Sequence, residues 1–248
     1  NIASSMQKVF EDLVINELKL IKKKYAVEDL YLTGGCAFNS LLVGKIIKSK
    51  IFERVEVGPN PGDAGGAVGA ALYTLFKRDK FKKDNFRNIT FSNPYLGPTY
   101  TNQFIKNNLI DKILDKDKYK YTFVENFDEL AKLSAKILKQ KDVIFWFQDN
   151  MEWGPRALGN RSILGNPKNE NIKEIINVNI KKREEFRPFA PVVMTEFAEE
   201  YFEMYNNNSE FMNKVFYAKQ ITKEKYSGII HQDGSCRLQT VSEDNNKK

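Results

Sequence analysis

The apolar positions at the start of the chain repeat at helical spacing. Residues 2 to about 25 follow this pattern and end in a lysine run at 22–24, which favours a helix. Beyond it, short apolar runs alternate with further helical patterns. These predict a strand at 30–32, a helix at 37–48, a strand at 55–57 and a helix at 67–76. Strands that alternate with helices predict an α/β fold for this part of the chain.

A second set of elements begins near Pro94. It comprises an amphipathic helix at 127–140, an apolar strand at 143–147, a helix-like stretch at 169–180 and a helix at 196–205. A charged segment at 78–93 separates the two sets. We therefore predict two separately packed lobes, residues 1–90 and 94–241, of which the second is of α+β type.

Composition limits the classes of function. The 248 residues carry a net charge of +7, which favours anionic partners such as phosphorylated small molecules. The lysines are interleaved with acidic residues, as at 112–120, so no continuous nucleic-acid footprint is evident. Cys36 and Cys236 are far apart and indicate reduced thiols of a cytoplasmic protein. No apolar run approaches the roughly 18 residues of a membrane span, and no membrane partner is expected.

Arginine is concentrated in one stretch, although lysine dominates elsewhere. Four of the eight arginines lie between residues 151 and 191, within MEWGPRALGNRSIL and INVNIKKREEFRPFAP. A guanidinium binds phosphate or carboxylate in a bidentate manner, which a lysine cannot do. We therefore expect one concave oxyanion site in which five cations converge: Arg156, Arg161, Lys181, Arg183 and Arg187. A set of surface or helix-pairing arginines is the alternative.

Clustered cations are costly unless anions neutralise them. We therefore expect a carboxylate such as Glu152 or Glu184 beside the arginines, or a bound anion. Glu184 is interpreted as a residue that orients an arginine rather than as a general base.

Eight of the fourteen glycines lie between residues 34 and 69. In TGGCAFN at 33–39, Gly34 and Gly35 separate a predicted strand from a predicted helix, where backbone N–H groups can bind phosphate oxygens. A tight packing turn explains these glycines equally well. In PNPGDAGG at 59–66, Asp63 precedes a predicted helix and either caps it or ligates a metal.

Five motifs, taken in order, resemble one protein family. They are GGCAFN, NPGDAGGAVGAA, EWGPRALGNRSIL, IKKREEFRPFAP and HQDGSCRLQTV. Over essentially the whole chain they closely resemble the NodU- and CmcH-type O-carbamoyltransferases. The resemblance implies the end of an actin-like ATPase-type domain in residues 1–90 and the first part of a YrdC-like domain in residues 94–248.

The resemblance also implies a reaction. Carbamoyl phosphate and ATP would give carbamoyl adenylate, and the carbamoyl group would pass to a hydroxyl of a sugar or antibiotic-like acceptor. The five cations would bind the anions of carbamoyl phosphate and ATP. Nucleotide contacts would come from Gly34, Gly35, Asn39, His231 and Arg237, and Asp63 would ligate a divalent metal, Fe or Mg. A homodimer is a further possibility.

The chain departs from the family pattern in two respects. Family members are considerably longer, and their metal-binding histidine pair lies upstream of the first residue here, whereas this chain has His231 alone. We therefore expect an incomplete metal site and an internal fragment or truncated gene product that does not transfer carbamoyl groups by itself.

Two other functions stay open at the level of sequence. One is a basic YrdC-like module that binds nucleic acid, which a steep salt dependence of RNA binding would support. The other is an actin-like kinase or ATPase, which the absence of that fold's phosphate loops and the unexplained arginine block disfavour.

Overall fold

The structure, a computed structural model, describes residues 2–77, 93–112, 115, 117–141, 143–205 and 207–243. Its α-helices, α1 to α8, span Ile2–Tyr25, Ser40–Ser49, Gly65–Lys77, Asn102–Ile105, Phe127–Lys141, Ile172–Glu174, Thr195–Tyr201 and Gln220–Lys225. Helices α4 and α6 continue as π-helical turns at Lys106–Ile110 and Ile175–Ile180, and short 3-10 helices lie at Gly35–Phe38 and Ser227–Ile229. The strands, β1 to β8, span Asp29–Leu32, Arg54–Val57, Val143–Phe147, Arg161–Gly165, Val192–Met194, Val215–Tyr217, Ser235–Arg237 and Gln239–Val241.

The strands of the described ranges pair into two-stranded sheets. Strands β1 and β2 are parallel, as are β5 and β8, whereas β3 with β4 and β6 with β7 are antiparallel. None of these sheets joins a strand from residues 2–77 to a strand from the rest of the described chain. The mixture of helices and strands is consistent with the predicted α/β class.

Local sequence explains why the elements begin and end where they do. The side chain of Asn39 accepts a hydrogen bond of 3.1 Å from the N–H of Leu42 and so caps α2. The side chain of Asn126 likewise accepts from the N–H groups of Asp128 and Glu129 at the start of α5. Helix α7 is shorter than the predicted 196–205, because the chain becomes extended at Phe202 and forms a bridge there with Ala218.

The hydrophobic core contains residues from both ends of the chain. Val43 and Ile46 of α2 lie in one buried cluster with Phe202, Phe216 of β6 and Leu238. Helix α2 lies so close to β6 that a Cβ added at Gly44 would lie 2.4 Å from the carbonyl oxygen of Val215. The prediction of two separately packed lobes is therefore wrong, since residues 198–238 share a core with residues 18–57.

Polar contacts reinforce this packing. Asn213 donates from Nδ2 to the carbonyl oxygen of Val57 over 2.8 Å. The next residue, Lys214, is 2% exposed, and its Nζ lies 3.2 Å from Oε2 of Glu56. Burial lowers the pKa of Lys214, and the charge of Glu56 partly opposes that effect.

Two expectations are not settled by these contacts. The proposed connection at 78–93 lies, except for Asn93, outside the described residues. The assignment of residues 1–90 and 94–248 to an actin-like and a YrdC-like domain stays a prediction. Among the helices of the described ranges, none has the length and apolar character needed to cross a bilayer.

Candidate functional site

A cavity of about 960 Å³ lies among α5, the β3–β4 hairpin, α6 and the end of β7. Much of its wall is apolar, with Trp146, Ile163 and Tyr226 among the lining residues. Its cationic lining residues are Arg156, Lys181, Arg183 and Arg237. The cavity therefore combines an apolar wall with a concentration of positive charge.

The structure brings together three of the five cations predicted to converge. Arg156, Lys181 and Arg183 line the cavity, whereas Arg161 and Arg187 do not. Arg237, predicted as a nucleotide contact, lines the cavity with them. The predicted convergence is thus confirmed for three residues and wrong for the other two, and the catalytic roles of all five stay predictions.

A buried carboxylate organises the loop that carries Arg156. Glu152, whose side chain has 0% exposure, accepts hydrogen bonds at Oε1 from the N–H groups of Leu158 (2.5 Å) and Asn160 (3.0 Å). Its other oxygen lies 3.2 Å from Nε of Arg161. Glu152 lies before Arg156 in the chain, and the N–H groups that it binds lie after Arg156. The carboxylate therefore joins the two ends of the loop and fixes the turn in which Arg156 lies.

Arg161 and Arg187 fail to reach the cavity because each is held elsewhere. Arg161 pairs with Glu152 and donates from Nη2 to the carbonyl oxygen of Gly154 over 2.9 Å. Arg187 donates from Nε to Oε2 of Glu184 over 2.9 Å. The two carboxylates expected among the arginines are present, but they neutralise the two arginines outside the cavity.

Asn177 organises the second cationic loop. It is fully buried, and its Nδ2 donates to the carbonyl oxygens of Glu185 and Arg187, each over 2.9 Å. Its Oδ1 accepts a hydrogen bond of 2.7 Å from Nε of Arg183. Lys182 adopts a positive φ of 50°, which turns the chain back toward α6. One side chain therefore closes the loop and orients Arg183.

The ring of Phe189 lies beneath two of the cations. The guanidinium carbon of Arg183 is 5.1 Å from the ring centroid, and Nζ of Lys181 is 6.0 Å from it. Both contacts are within cation–π range. Phe189 itself lines the cavity, so it supports positive charge at the wall without neutralising it.

The electrostatics of the cavity reflect burial and mutual repulsion. Burial, together with the charges of Arg156 and Arg183, lowers the pKa of Arg237 to about 10. Burial and the charges of Arg183 and Arg237 lower the pKa of Lys181. Among the described residues, the ion pairs within 4.0 Å include none of the four cations that line the cavity. A ligand anion would relieve this repulsion.

His231 lies close to this group but does not line the cavity. Its ring nitrogen Nε2 is buried and has no hydrogen-bond partner among the described residues. Burial and the charges of Lys173 and Arg237 lower its pKa, while Asp233 opposes them. The turn that carries it is held by a 3.0 Å hydrogen bond from Ser235 N–H to Oδ1 of Asp233.

The glycine loops lie at the other predicted site, beyond the ends of the parallel strands β1 and β2. Gly34 has a φ of +88°, and its N–H donates to the carbonyl oxygen of Pro61 over 2.7 Å. Asn39 caps α2, so its side chain serves the fold directly. Neither these residues nor Gly35 lines the cavity. Their predicted nucleotide role stays a prediction.

The two predicted sites are adjacent in space. A Cβ added at Gly154 would lie 3.1 Å from the carbonyl oxygen of Pro59, so the loop of Arg156 packs on the loop that leads to Asp63. Among the described residues, no group of three or more His, Cys, Asp or Glu side chains could hold a metal ion. The role of Asp63 as one ligand of a divalent metal, in a site that this chain leaves incomplete, therefore stays a prediction.

Sequence reasoning missed three residues that shape the site: Asn177, Phe189 and Gln239. All three lie within motifs that the sequence singled out. The signal for Asn177 was its position in INVNI, where an amide between Ile176 and Val178 predicts a buried polar group that needs partners. Phe189 and Gln239 carried no comparable signal, since their roles depend on contacts that appear only in the folded chain.

Comparison with known proteins shows the family of the chain. A family model described as carbamoyltransferase N-terminus matches residues 1–72, and one described as carbamoyltransferase C-terminus matches residues 135–248. The second match contains all the cations that line the cavity. The two matches together cover most of the chain.

Several relatives align along the whole chain. Nodulation protein NolNO of Sinorhizobium fredii is 34% identical over 100% of this chain and 35% of its own length. Nodulation protein NolO of Bradyrhizobium diazoefficiens is 34% identical over 99% of this chain and 44% of its own length. An uncharacterized protein of Synechocystis sp. is 33% identical over 100% of this chain and 43% of its own length. The chain thus spans less than half the length of these relatives. It belongs to the carbamoyltransferase family.

Proposed function

We propose that the cavity is the donor-activating site of an O-carbamoyltransferase. In this proposal water first releases inorganic phosphate from carbamoyl phosphate. An oxygen of the resulting carbamate then bonds to the α-phosphorus of ATP while pyrophosphate leaves, which gives carbamoyl adenylate. The carbamoyl group of this adenylate finally esterifies a hydroxyl of a sugar or secondary metabolite. The observation that supports it is the convergence of Arg156, Lys181, Arg183 and Arg237 on one cavity, with no carboxylate of the described chain within ion-pair distance of them.

The charge of the proposed substrates matches this arrangement. Carbamoyl phosphate and ATP both carry several anionic oxygens, and negative charge develops on phosphate and carbamate oxygens as bonds break. Cationic donors that are already in place stabilise such charge without reorganisation, and they do so more strongly where water is partly excluded. The guanidinium of Arg183 is in place in this sense, because Asn177 and Phe189 hold it.

The transfer step needs a second substrate. A hydroxyl oxygen of the acceptor would bond to the carbamoyl carbon while the bond from that carbon to the adenylate phosphate oxygen breaks. AMP would leave with the electron pair, and the hydroxyl proton would be released. The cations of the cavity would stabilise the departing phosphate oxygen. No step of this proposal passes through a metal ion.

The activation half-reaction is the direct test, since it needs no acceptor. Incubation with carbamoyl phosphate, ATP and labelled pyrophosphate should produce labelled ATP only when carbamoyl phosphate is present. Arg183→Gln should reduce this exchange by about tenfold or more, since a hydrogen bond to a charged group contributes about 1.5–3 kcal/mol. Arg54→Gln, a change in an exposed arginine outside the cavity, should leave it unchanged.

Two results would contradict the proposed function. A chain that binds neither carbamoyl phosphate nor ATP in calorimetric titration would overturn the proposal. Tight RNA binding with a steep salt dependence, and without binding of carbamoyl phosphate, would support the nucleic-acid alternative instead.

A further inference from the structure

Three buried polar atoms that have no hydrogen-bond partner in the part of the chain that the structure describes lie on alternate residues of one segment. They are Oγ of Ser235, Nε of Arg237 and Oε1 of Gln239. Ser235 and Arg237 lie two apart on β7 and so point to the same side of that strand, whereas Gln239 begins β8, which pairs with a different strand. Arg237 and Gln239 both line the cavity. Two residues that line the cavity, Arg237 and Gln239, therefore each carry a polar atom without a hydrogen-bond partner among the described residues.

The orientation of the Gln239 amide is determined by its neighbours. Its Nε2 donates to the carbonyl oxygen of Leu158 over 2.9 Å, which leaves the amide oxygen as the unused atom. The residue is 3% exposed, and its backbone N–H donates to Pro191. A buried acceptor without a donor costs free energy, so an unpaired acceptor in the wall of a cavity calls for a donor from a ligand.

The surrounding charges specify what kind of ligand supplies that donor. Arg156, Lys181, Arg183 and Arg237 offer only hydrogen-bond donors, which suit anionic oxygens. An amino group finds no partner among them and needs an acceptor. A ligand that fits both requirements carries anionic oxygens and an NH₂ group close together.

We propose that Oε1 of Gln239 accepts a hydrogen bond from the NH₂ group of carbamoyl phosphate while Arg237 binds its anionic oxygens. This inference rests on the proposed function and assigns recognition of the transferred carbamoyl group to Gln239. Acetyl phosphate has a methyl group where carbamoyl phosphate has NH₂, so it would leave Oε1 unpaired. Gln239 would thereby select a carbamoyl over an acetyl donor.

The amino group of adenine is another possible donor, but the geometry favours the smaller ligand. Cα atoms two residues apart in an extended chain are about 7 Å apart, so Arg237 and Gln239 contact groups that lie near each other although they belong to different strands. In carbamoyl phosphate the NH₂ group and the phosphate are separated by one carbon and one oxygen. In ATP the ribose separates the amino group from the phosphates.

The test compares ligands in the wild-type chain and in Gln239→Met, which keeps the size of the side chain but removes the amide. Calorimetric titration with carbamoyl phosphate, acetyl phosphate, inorganic phosphate and ATP should show a wild-type preference for carbamoyl over acetyl phosphate of about tenfold or more. Gln239→Met should bring this ratio near one and change the affinity for inorganic phosphate little.

Tyr95→Phe provides a matched control. The hydroxyl of Tyr95 also donates to the carbonyl oxygen of Leu158, over 3.0 Å. This variant therefore removes a donor to Leu158, as Gln239→Met does, but retains the Gln239 amide. It should keep the wild-type ratio. A ratio lost equally in both variants would mean that the Leu158 contact, and not the amide oxygen, matters.

Other outcomes overturn the inference in distinct ways. A ratio that Gln239→Met leaves unchanged would exclude recognition by Gln239, and a selective loss of ATP affinity would assign the acceptor to adenine. A wild-type chain that binds carbamoyl and acetyl phosphate equally would overturn this inference alone. A wild-type chain that binds none of the four ligands would overturn the proposed function as well.

Discussion

Oδ1 of Asn177 accepts a hydrogen bond of 2.7 Å from Nε of Arg183, while its Nδ2 donates to two backbone carbonyls of the same loop. A single buried amide thus links the backbone of the loop to the cation that the loop presents. Arg183 lines the cavity, so the orientation of its guanidinium depends on a residue that does not.

Replacement of Asn177 by Ala should weaken both the fold and the site. The carbonyl oxygens of Glu185 and Arg187 would lose their partner, which should lower the free energy of unfolding by about 1–3 kcal/mol in urea titrations. Inorganic phosphate should also bind more weakly in calorimetry, because Arg183 would no longer be held. Asn179→Ala, a change at an exposed position of the same π-helical turn, should alter neither quantity appreciably.

A double-mutant cycle would separate positioning from general loss of structure. If Asn177 acts through Arg183, then Asn177→Ala should reduce phosphate affinity much less when Arg183 is already Gln. Additive losses would show that Asn177 affects binding by another route.

Glu152→Gln should destabilise the loop of Arg156. The carboxylate accepts from two backbone N–H groups and pairs with Arg161, and the amide would replace one acceptor with a donor. We expect the free energy of unfolding to fall by about 1–3 kcal/mol, since charge-assisted bonds to a buried group are lost. Glu184→Gln breaks the exposed pair with Arg187 and should change the midpoint of urea unfolding little. Equal effects of the two changes would contradict the organising role of Glu152.

Sequence patterns predicted those parts of the molecule that depend on neighbouring residues. The strand at 143–147 and the helix from residue 127 were correct because apolar spacing alone specifies them. Sequence patterns could not predict that Arg156 lines the cavity and Arg161 does not, because both residues are arginines. The difference depends on the position of Glu152, which pairs with Arg161 in the folded chain. The shared core was missed for the same reason: the contact of Gly44 with Val215 joins segments far apart in sequence.

Gly44→Ala should test that shared core directly. The added methyl group would lie 2.4 Å from the backbone oxygen of Val215, so α2 and β6 would have to separate. We expect the free energy of unfolding to fall by about 1–3 kcal/mol, as for other overpacked cores. Gly69→Ala in α3, where no atom lies within 4 Å of the added group, should instead stabilise the helix by up to about 1 kcal/mol. A destabilisation of similar size at both positions would contradict close packing of α2 on β6.

Protonation of His231 should make the fold less stable in weak acid. Burial and the charges of Lys173 and Arg237 lower its pKa in the folded chain, whereas Asp233 acts in the opposite direction without reversing the shift. In the unfolded chain the pKa is near its usual value of about 6.5. Below that pH the unfolded chain binds a proton that the folded chain does not, so this contribution to stability is lost as the pH falls from about 7 to 5.

Since the chain has a single histidine, His231→Gln removes the effect completely. Urea unfolding across this range should show a steeper loss of stability for the wild-type chain than for His231→Gln. Parallel curves would mean that the pKa of His231 is not lowered by folding, and a shallower wild-type curve would mean that it is raised.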